Sequence, residues 1–246
     1  MWKSIRPDGP PSAFQANGGG RLGMANDTAT LDNARRRLHM VNGQLRTSGV
    51  TDSAVLAAFL DTPREEFVSP SLAALAYIDR DQLAAGAATR KLLAPRTLAL
   101  LLQAAVIVPG ERVLDVAGGS GYASALLARM GANVVALESD PGAVKSARHA
   151  LAGLANVEIV EGDLASGAAG KGPFDAIVVN GAFEIAPAGL IDQLADVGRL
   201  VGIDSRGRST RGVIFETAAG ARGERSLFDA KADVLEGFKR APNFAF

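Results

Sequence analysis

Cysteine is absent from this chain of 246 residues, and that absence excludes several kinds of chemistry at once. Disulfide bonds, thiolate nucleophiles and cysteine-ligated zinc sites all require a residue that the chain does not have. Histidine is scarce as well, because His39 and His149 are the two in the sequence and they stand far apart, each in a stretch with a helical pattern. Without a companion cluster they are expected at the surface, and no metal site is predicted.

An excess of charge of one sign is also missing, because 26 basic residues are matched by 26 acidic residues. A chain without a basic field is not expected to hold nucleic acid through its phosphates. The longest apolar run, Leu98 to Val108, is interrupted by Gln103 and is shorter than the roughly 20 residues of a membrane-spanning helix. Residues 1–23 lack the apolar run of a secretory signal. We therefore expect a cytoplasmic monomer that binds neither nucleic acid nor membranes.

The chain divides by composition into three regions. Residues 1–28 contain a Pro-rich stretch and a run of glycines, and so polar a segment buries too little surface to offset its ordering entropy. This composition predicts a disordered extension; a short ordered arm is the alternative, and Met24 is a candidate for the natural start. Residues 29–95 are predicted to form a helical subdomain, and residues 96–246 the main domain.

The helical subdomain is predicted from the spacing of its apolar residues. Asp32 to Leu45 has mixed helical spacing, and a second helix, Ser53 to Leu60, follows a candidate cap at Thr51 or Asp52. Further Ala- and Leu-rich stretches also have a helical pattern, and Pro95 stands at the first turn of the last one. The pattern therefore predicts helices over most of the region before the main domain.

From Arg112 onward, short apolar runs alternate with Ala-rich helical runs, which is typical of a parallel sheet with crossover helices. The runs are nearly all apolar, as expected of strands buried on both faces. We predict an α/β fold, Rossmann-like, with a mostly parallel seven-stranded sheet, helices on both faces and an antiparallel pair at the end. The predicted strands are Val113 to Val116, Val134 to Leu137, Val157 to Val160, Ala176 to Val179, Gly198 to Ile203, Arg211 to Thr217 and Ser226 to Leu235.

A glycine-rich turn joins the first of these strands to the helix after it, and it predicts a nucleotide-binding corner. Glycines let a ligand approach the backbone at the positive end of the helix. Asp115 precedes the turn on the strand, where it can receive the amino-acid end of S-adenosyl-L-methionine but would repel a pyrophosphate. A dinucleotide fingerprint, Gly-x-Gly-x-x-Gly or Ala, would have glycine or alanine where Ser124 stands. The candidate cofactor-binding residues of the turn are Ala117, Gly118, Gly119, Ser120 and Gly121.

Two more acids follow the next two strands. Glu138 ends the second strand, where a carboxylate can accept both ribose hydroxyls, and Asp163 follows the third, where it can accept a hydrogen bond from the adenine amine. Such acids also commonly cap the next helix or face water, so each has a purely structural alternative. Together with Asp115 they lie at the carboxyl ends of three strands, where open α/β sheets bind ligands.

These residues resemble class I methyltransferases in general and the protein-L-isoaspartate methyltransferase family in particular, over about residues 36–201. An entry segment, the glycine turn and the later strands carry the resemblance. The matching stretches are Met40-Val-Asn-Gly-Gln-Leu-Arg-Thr-Ser-Gly-Val-Thr-Asp52, Val55-Leu56, Pro63-Arg-Glu-Glu-Phe-Val68, Arg112-Val-Leu-Asp-Val-Ala-Gly-Gly-Ser-Gly-Tyr122, Pro173-Phe-Asp-Ala-Ile-Val-Val179, Gln193-Leu194 and Gly198-Arg-Leu-Val201.

The resemblance implies methylation of the free carboxylate of isoaspartyl residues, a damage product in proteins, with S-adenosyl-L-methionine as cofactor. Proteins or peptides that carry isoaspartyl residues would be the partners. Direct displacement on a sulfonium requires alignment more than proton transfer, so no strong base is expected. Within the turn, Ala117 stands where the family usually has its first glycine.

The largest departure from the family lies at residues 89–95, which we call the acceptor segment. The family has Gly-x-Thr-Ile-Ser-Gln-Pro here, and this chain has Thr-Arg-Lys-Leu-Leu-Ala-Pro. If Pro95 is the matching proline, Leu93 replaces the hydroxyl residue at the acceptor and Ala94 replaces the glutamine. The family's Thr-Ala-Ala after the fourth strand likewise becomes Asn180-Gly-Ala182.

Arg90 and Lys91 are candidate partners of the acceptor carboxylate, with a solvated basic pair as the alternative. Three functions stay open on the residues alone: an isoaspartyl methyltransferase, a methyltransferase with another acceptor, and a non-catalytic cofactor-binding member of the family. An NAD-dependent oxidoreductase is disfavoured by Asp115 and Ser124. Leu93 and Asn180 are the residues that discriminate among the first three.

Overall fold

The computed structural model describes residues 31–241 of the chain. The predicted extension at residues 1–28, with Met24, lies outside the described residues, and the division at residue 95 stays a prediction. Within the described residues, no helix is both long enough and apolar enough to cross a membrane.

Short helices make up most of the chain before the main sheet. Helix α1 covers residues 31–40 and continues into a π-helical turn, Val41–Leu45. Helix α2, Ser53–Asp61, is capped by Asp52, whose carboxylate accepts hydrogen bonds from two backbone amides of the first turn. Asp52 rather than Thr51 is therefore the cap. Three 3₁₀ turns complete this region: Arg46–Ser48, Arg64–Glu66 and Pro70–Leu75.

A two-stranded antiparallel hairpin stands where the sequence predicts a further helical segment, so that prediction is wrong for residues 82–92. Its strands are β1, Gln82–Leu83, and β2, Lys91–Leu92. Helix propensity is weak, and packing overrides it here because the hairpin lies directly on the glycine turn of the main domain. A Cβ on Gly119 would lie 3.0 Å from the Ala84 Cβ and 3.2 Å from the Leu92 side chain.

A seven-stranded sheet forms the main domain, which confirms the predicted fold class. The strand order is β5-β4-β3-β6-β7-β8-β9. Neighbours from β5 to β7 are parallel, and the β7–β8 and β8–β9 pairs are antiparallel. The strands are β3 (Arg112–Val116), β4 (Asn133–Glu138), β5 (Val157–Glu161), β6 (Phe174–Phe183), β7 (Leu194–Asp204), β8 (Arg211–Ala218) and β9 (Ala221–Asp229).

The last strand begins and ends earlier than predicted. A two-residue turn, Ala219 and Gly220, joins β8 to β9, and both residues have positive φ, as the tight hairpin turn requires. This turn fixes β9 at Ala221–Asp229, whereas the sequence predicts Ser226 to Leu235. Residues 230–235 instead leave the sheet and cross toward the carboxyl end of β6.

Helices lie on both faces of the sheet, as predicted. They are α3 (Pro95–Ala105), α4 (Tyr122–Arg129), α5 (Pro141–Ala150) and the short α6 (Ala188–Ile191). The three longer ones pack against one face and the short α6 against the other. Because strand side chains alternate, Val113 belongs to the core shared with the N-terminal helices, and its neighbour Leu114 belongs to the core on the opposite face. The carboxyl ends of the strands are thereby held rigidly at one edge, where the predicted site lies.

Candidate active site

The glycine turn between β3 and α4 has the backbone conformation that its sequence predicts. Gly119 and Gly121 have φ values of 64° and 96°, and Ala117 also has a positive φ of 60°. Gly118 is required for a second reason, because a Cβ there would lie 2.5 Å from Oδ2 of Asp115. The turn therefore brings backbone amides close to a buried carboxylate at the start of α4.

Asp115 is fully buried beside this turn. The Ser124 hydroxyl donates to Oδ2, and Nδ2 of Asn180 donates to Oδ1 over 2.5 Å. Burial raises the pKa of the Asp115 carboxyl to about 6, although both hydrogen bonds favour the ionised form. The carboxylate is thus held in one orientation and titrates close to neutral pH. Sequence reasoning missed both partners: Asn180 is far from Asp115 along the chain, and Ser124 is brought to the carboxylate by the glycine turn.

Asn180 lies at the boundary between two functions. Its amide nitrogen donates to Asp115 and also to the Val116 carbonyl over 2.9 Å, so the predicted acceptor-side residue is bound to the cofactor-side acid. The same residue also lines a cavity with the acceptor segment. Asn180 therefore connects the two halves of the predicted site.

Glu138 is buried at the end of β4 and holds the glycine turn in place. Its Oε2 accepts from the Gly119 amide over 2.9 Å, and its Oε1 accepts from the amides of Ser139 and Asp140 over 2.7 and 3.0 Å. Arg90 contributes a further contact, because its Nε lies 3.1 and 3.2 Å from the two carboxylate oxygens. The predicted ribose acceptor therefore shares its oxygens with a basic side chain from the hairpin.

The two candidate acceptor cations are both engaged with acids. Arg90 binds Glu138 and also donates to the Ser139 hydroxyl over 3.2 Å, so it is directed toward the cofactor corner rather than toward an acceptor carboxylate. Lys91 pairs with Asp233 at 2.9 Å, and this hydrogen bond raises the pKa of Lys91. Arg90 is thus mostly buried, whereas Lys91 is solvent-exposed but lies on a strand rather than at a helix end.

Asp163 is exposed at the end of β5. Its Oδ2 accepts from the Ser166 amide over 2.7 Å, and hydrogen bonds from Ser166 lower the pKa of the carboxyl. This is the turn-capping role that sequence reasoning gave as the alternative. Asp163 also lines a cavity of about 520 Å³ with Ser139, Gly162 and Leu164, at the ends of β4 and β5. Its position beside an adenine thus stays a prediction.

A second cavity, of about 670 Å³, contains all four acceptor-side candidates, Arg90, Lys91, Leu93 and Asn180. We call it the acceptor cavity. The Leu93 residue that lines it is only 3% exposed and belongs to the core shared with the N-terminal helices. The cavity therefore has no hydroxyl at this position.

The opposite wall of the acceptor cavity is formed by residues 232–236, which the sequence analysis does not assign to the site. Val234 forms a bridge with Ala182, and Leu235 packs so closely on Gly181 that a Cβ there would lie 2.5 Å from it. The only indication of this wall in the sequence is the pair of small residues after Asn180, Gly181 and Ala182. They leave room for a segment that returns from the far edge of the sheet.

The family model described as Protein-L-isoaspartate(D-aspartate) O-methyltransferase (PCMT) matches residues 35–213. The chain belongs to this family. Among its members, a protein-L-isoaspartate O-methyltransferase of Gloeobacter violaceus is 44% identical over 66% of this chain and 79% of its own length. One of Methylorubrum extorquens is 40% identical over 74% of this chain and 79% of its own length.

Solved structures agree with the family assignment. A protein-L-isoaspartate O-methyltransferase structure superposes with a TM-score of 0.71 at 25% identity, over 82% of this chain and 66% of that chain. Family membership accounts for the glycine turn and the acids at the strand ends together. The acceptor segment remains the largest of the departures from the family pattern that the sequence analysis identifies.

The described residues fit S-adenosyl-L-methionine, the cofactor of these methyltransferases. The turn lies directly against Asp115, because a Cβ at Gly118 would collide with its carboxylate, and a second buried carboxylate, Glu138, flanks the turn. Buried carboxylates accept strong hydrogen bonds. Each of these two can therefore bind a donor group of the cofactor if one of the protein groups that now donates to it shares the carboxylate or moves away. At Glu138 that donor is Arg90.

Proposed function

We propose that this chain is an S-adenosyl-L-methionine-dependent methyltransferase that methylates the carboxylate of isoaspartyl residues in damaged proteins. The observation that carries the proposal is the position of Asn180, which donates to Asp115 beside the glycine turn and also lines the acceptor cavity. A cofactor on the turn and an acceptor in the cavity would therefore be adjacent. Family membership supports the same function.

For the cofactor, we assign Asp115 to the amino-acid end, Glu138 to the ribose and Asp163 to the adenine edge. The backbone from Ala117 through Gly118, Gly119 and Ser120 to Gly121 would line the approach. When bound, S-adenosyl-L-methionine supplies a methyl group activated by a positively charged sulfur. The protein then needs only to align and desolvate the acceptor carboxylate, which is already ionised at neutral pH.

The acceptor side supports this function less strongly. Leu93 offers no hydrogen bond, and the cations Arg90 and Lys91 are already paired with Glu138 and Asp233. An acceptor carboxylate entering the cavity would have to displace one of these pairs or bind another group of the lining, such as Thr89 or Lys239. This arrangement favours, as a second candidate, a methyltransferase of the same mechanism that acts on a different acceptor.

The deciding experiment is methyl transfer from tritiated S-adenosyl-L-methionine to an isoaspartyl peptide, with the same peptide containing ordinary aspartate as the control. A whole lysate is labelled in parallel. Label on the isoaspartyl peptide alone supports the proposal, whereas label on lysate components without the peptide supports the second candidate. Calorimetric binding of the cofactor with no transfer to either would indicate a non-catalytic member.

We also propose that the protein acts as a cytoplasmic monomer on protein substrates and does not bind nucleic acid. Its balanced charge supports the last point, and its lack of cysteine fits a reducing compartment. Light scattering coupled to size-exclusion chromatography tests the monomer, since a mass of twice 25.3 kDa would contradict it.

A further inference from the structure

Arg64 is a fully buried guanidinium that the proposed cofactor and acceptor contacts do not use. It lies in the 3₁₀ turn Arg64–Glu66, in the entry segment before the main domain. Its Nε donates to the Ala76 carbonyl over 3.0 Å, and its Nη2 donates to the Leu93 carbonyl over 2.9 Å. Among the described residues it forms no salt bridge. Its polar contacts are therefore to backbone, and one of them is in the acceptor segment.

The same guanidinium also lies over an aromatic ring of the cofactor corner. Its central carbon lies 4.8 Å from the ring centroid of Tyr122, the first residue of α4 after the glycine turn. Phe59 and Phe67 pack against the same ring, so its position is fixed. Arg64 thus contacts the acceptor segment through a hydrogen bond to the Leu93 carbonyl, and the helix after the glycine turn through the ring of Tyr122.

A buried, unpaired arginine lowers the stability of the fold if it does no more than fill space in the core. A buried cation without a carboxylate partner is destabilising, and an apolar side chain of similar volume commonly packs there at lower cost. Burial lowers the pKa of Arg64, which is the signature of that cost. What an apolar side chain cannot do is hold the Leu93 carbonyl and stack on Tyr122 at once.

We propose that Arg64 is a positioning residue for methyl transfer, which fixes the acceptor segment at Leu93 relative to the cofactor turn at Tyr122. The inference rests on the proposed function, because it assigns the alignment of the two substrates to this contact. A displacement of about 1 Å between reacting groups costs about 100-fold in rate.

The test is Arg64→Lys, which keeps the charge but loses the planar fork. We expect kcat for an isoaspartyl peptide to fall by about 30- to 100-fold while the Kd for S-adenosylhomocysteine changes by less than about threefold. A fall in kcat matched by an equal fold-increase in the Kd for S-adenosylhomocysteine, or an unchanged kcat, would overturn the proposal. If Arg64→Lys does not fold, Arg64→Gln keeps a planar donor; failure of both to fold would show a merely structural residue and also overturn it.

A second measurement separates this inference from the proposed function. In the S-adenosylhomocysteine-bound protein, hydrogen exchange in Arg64→Lys should rise at residues 89–95 and stay unchanged at residues 117–121, whether or not the wild type methylates isoaspartate. Hydrogen exchange that rises equally in both segments, or that does not rise in either, contradicts the inference. A wild type that fails on the isoaspartyl peptide contradicts the proposed function only.

Arg199→Lys is the matched control. Arg199 also binds backbone carbonyls, those of Ala105 and Val106. It lies near the amino-terminal ends of the parallel strands, away from the candidate site, and pairs there with Glu111. We expect this variant to lower Tm without changing kcat at 25 °C. A comparable fall in kcat would mean that any loss of an arginine clamp slows the enzyme.

Discussion

The glycine turn and the acceptor segment lie against each other, yet their chemistry is supplied in different ways. The turn is held by backbone amides and by Glu138 at the end of a central strand, so the sheet itself fixes the recognition groups. The acceptor segment is part of a short hairpin, and its side chains have varied from the family pattern. The cofactor side thus depends on the fold, and the acceptor side depends on individual side chains.

Three contacts hold the acceptor segment in place. Arg90 binds Glu138, Lys91 binds Asp233, and the Leu93 carbonyl binds Arg64. Each polar group of the acceptor segment named here is therefore engaged with another part of the protein. A substitution on the cofactor side should change binding, and one on the acceptor side should change turnover or specificity. Four predictions test this separation.

The largest effect is expected for Glu138→Ala, which we predict weakens S-adenosylhomocysteine binding by about 1.5–3 kcal/mol, the range for hydrogen bonds to a charged group. The ribose and the Gly119 amide would both lose their acceptor. Titration calorimetry measures the change. Glu158→Ala, which removes an exposed carboxylate from the neighbouring strand, should leave affinity unchanged. Unchanged affinity in a folded Glu138→Ala protein would show that the cofactor side does not depend on this acid.

On the acceptor side, we predict weak activity on isoaspartyl peptides relative to the Gloeobacter violaceus protein, and an increase in Leu93→Ser. A buried carboxylate without a donor costs about 1–3 kcal/mol, which corresponds to about 5- to 150-fold in kcat/KM. Side-by-side assays with one peptide measure it, with Leu75→Ser at an exposed leucine as the control. Wild-type activity equal to that of the relative, with no gain from serine, would refute this account of Leu93.

The third prediction uses the titration of Asp115. Its pKa of about 6 predicts that S-adenosylhomocysteine binding weakens by about tenfold between pH 7 and pH 5, because the protonated acid cannot pair with an amino group. Stability moves the other way: the folded pKa lies above the unfolded value, so the contribution of Asp115 to stability is lost as pH rises through about 6. Calorimetry across pH checks the first, and Asp115→Asn should abolish the dependence. A flat profile in the wild type would remove Asp115 from cofactor recognition.

The smallest effect is expected for Lys91→Met. The Lys91–Asp233 pair is largely solvent-exposed, so its loss should change the free energy of unfolding by less than about 1 kcal/mol. Denaturant titration measures this, and cofactor affinity should not change. A larger loss would mean that this pair, rather than packing of Leu235 on Gly181, holds the two walls of the acceptor cavity together.

The strands and the glycine turn were predictable because their signals are local. Short runs buried on both faces have few alternatives, and Gly119 and Gly121 need a backbone conformation that other residues rarely adopt. The partners of Arg90 and Asn180 were not predictable, since each contacts a carboxylate far away in the sequence. The hairpin that carries Arg90 was missed for the same reason: its stability comes from packing on the turn and not from its own propensity.

The second wall of the acceptor cavity also follows from topology rather than from local sequence, and it bears on how the protein is made. Residues 232–236 are synthesised after every strand of the sheet, whereas Asp115, Glu138 and the glycine turn emerge from the ribosome much earlier. The acceptor cavity therefore gains its second wall only after the residues of every strand have been synthesised.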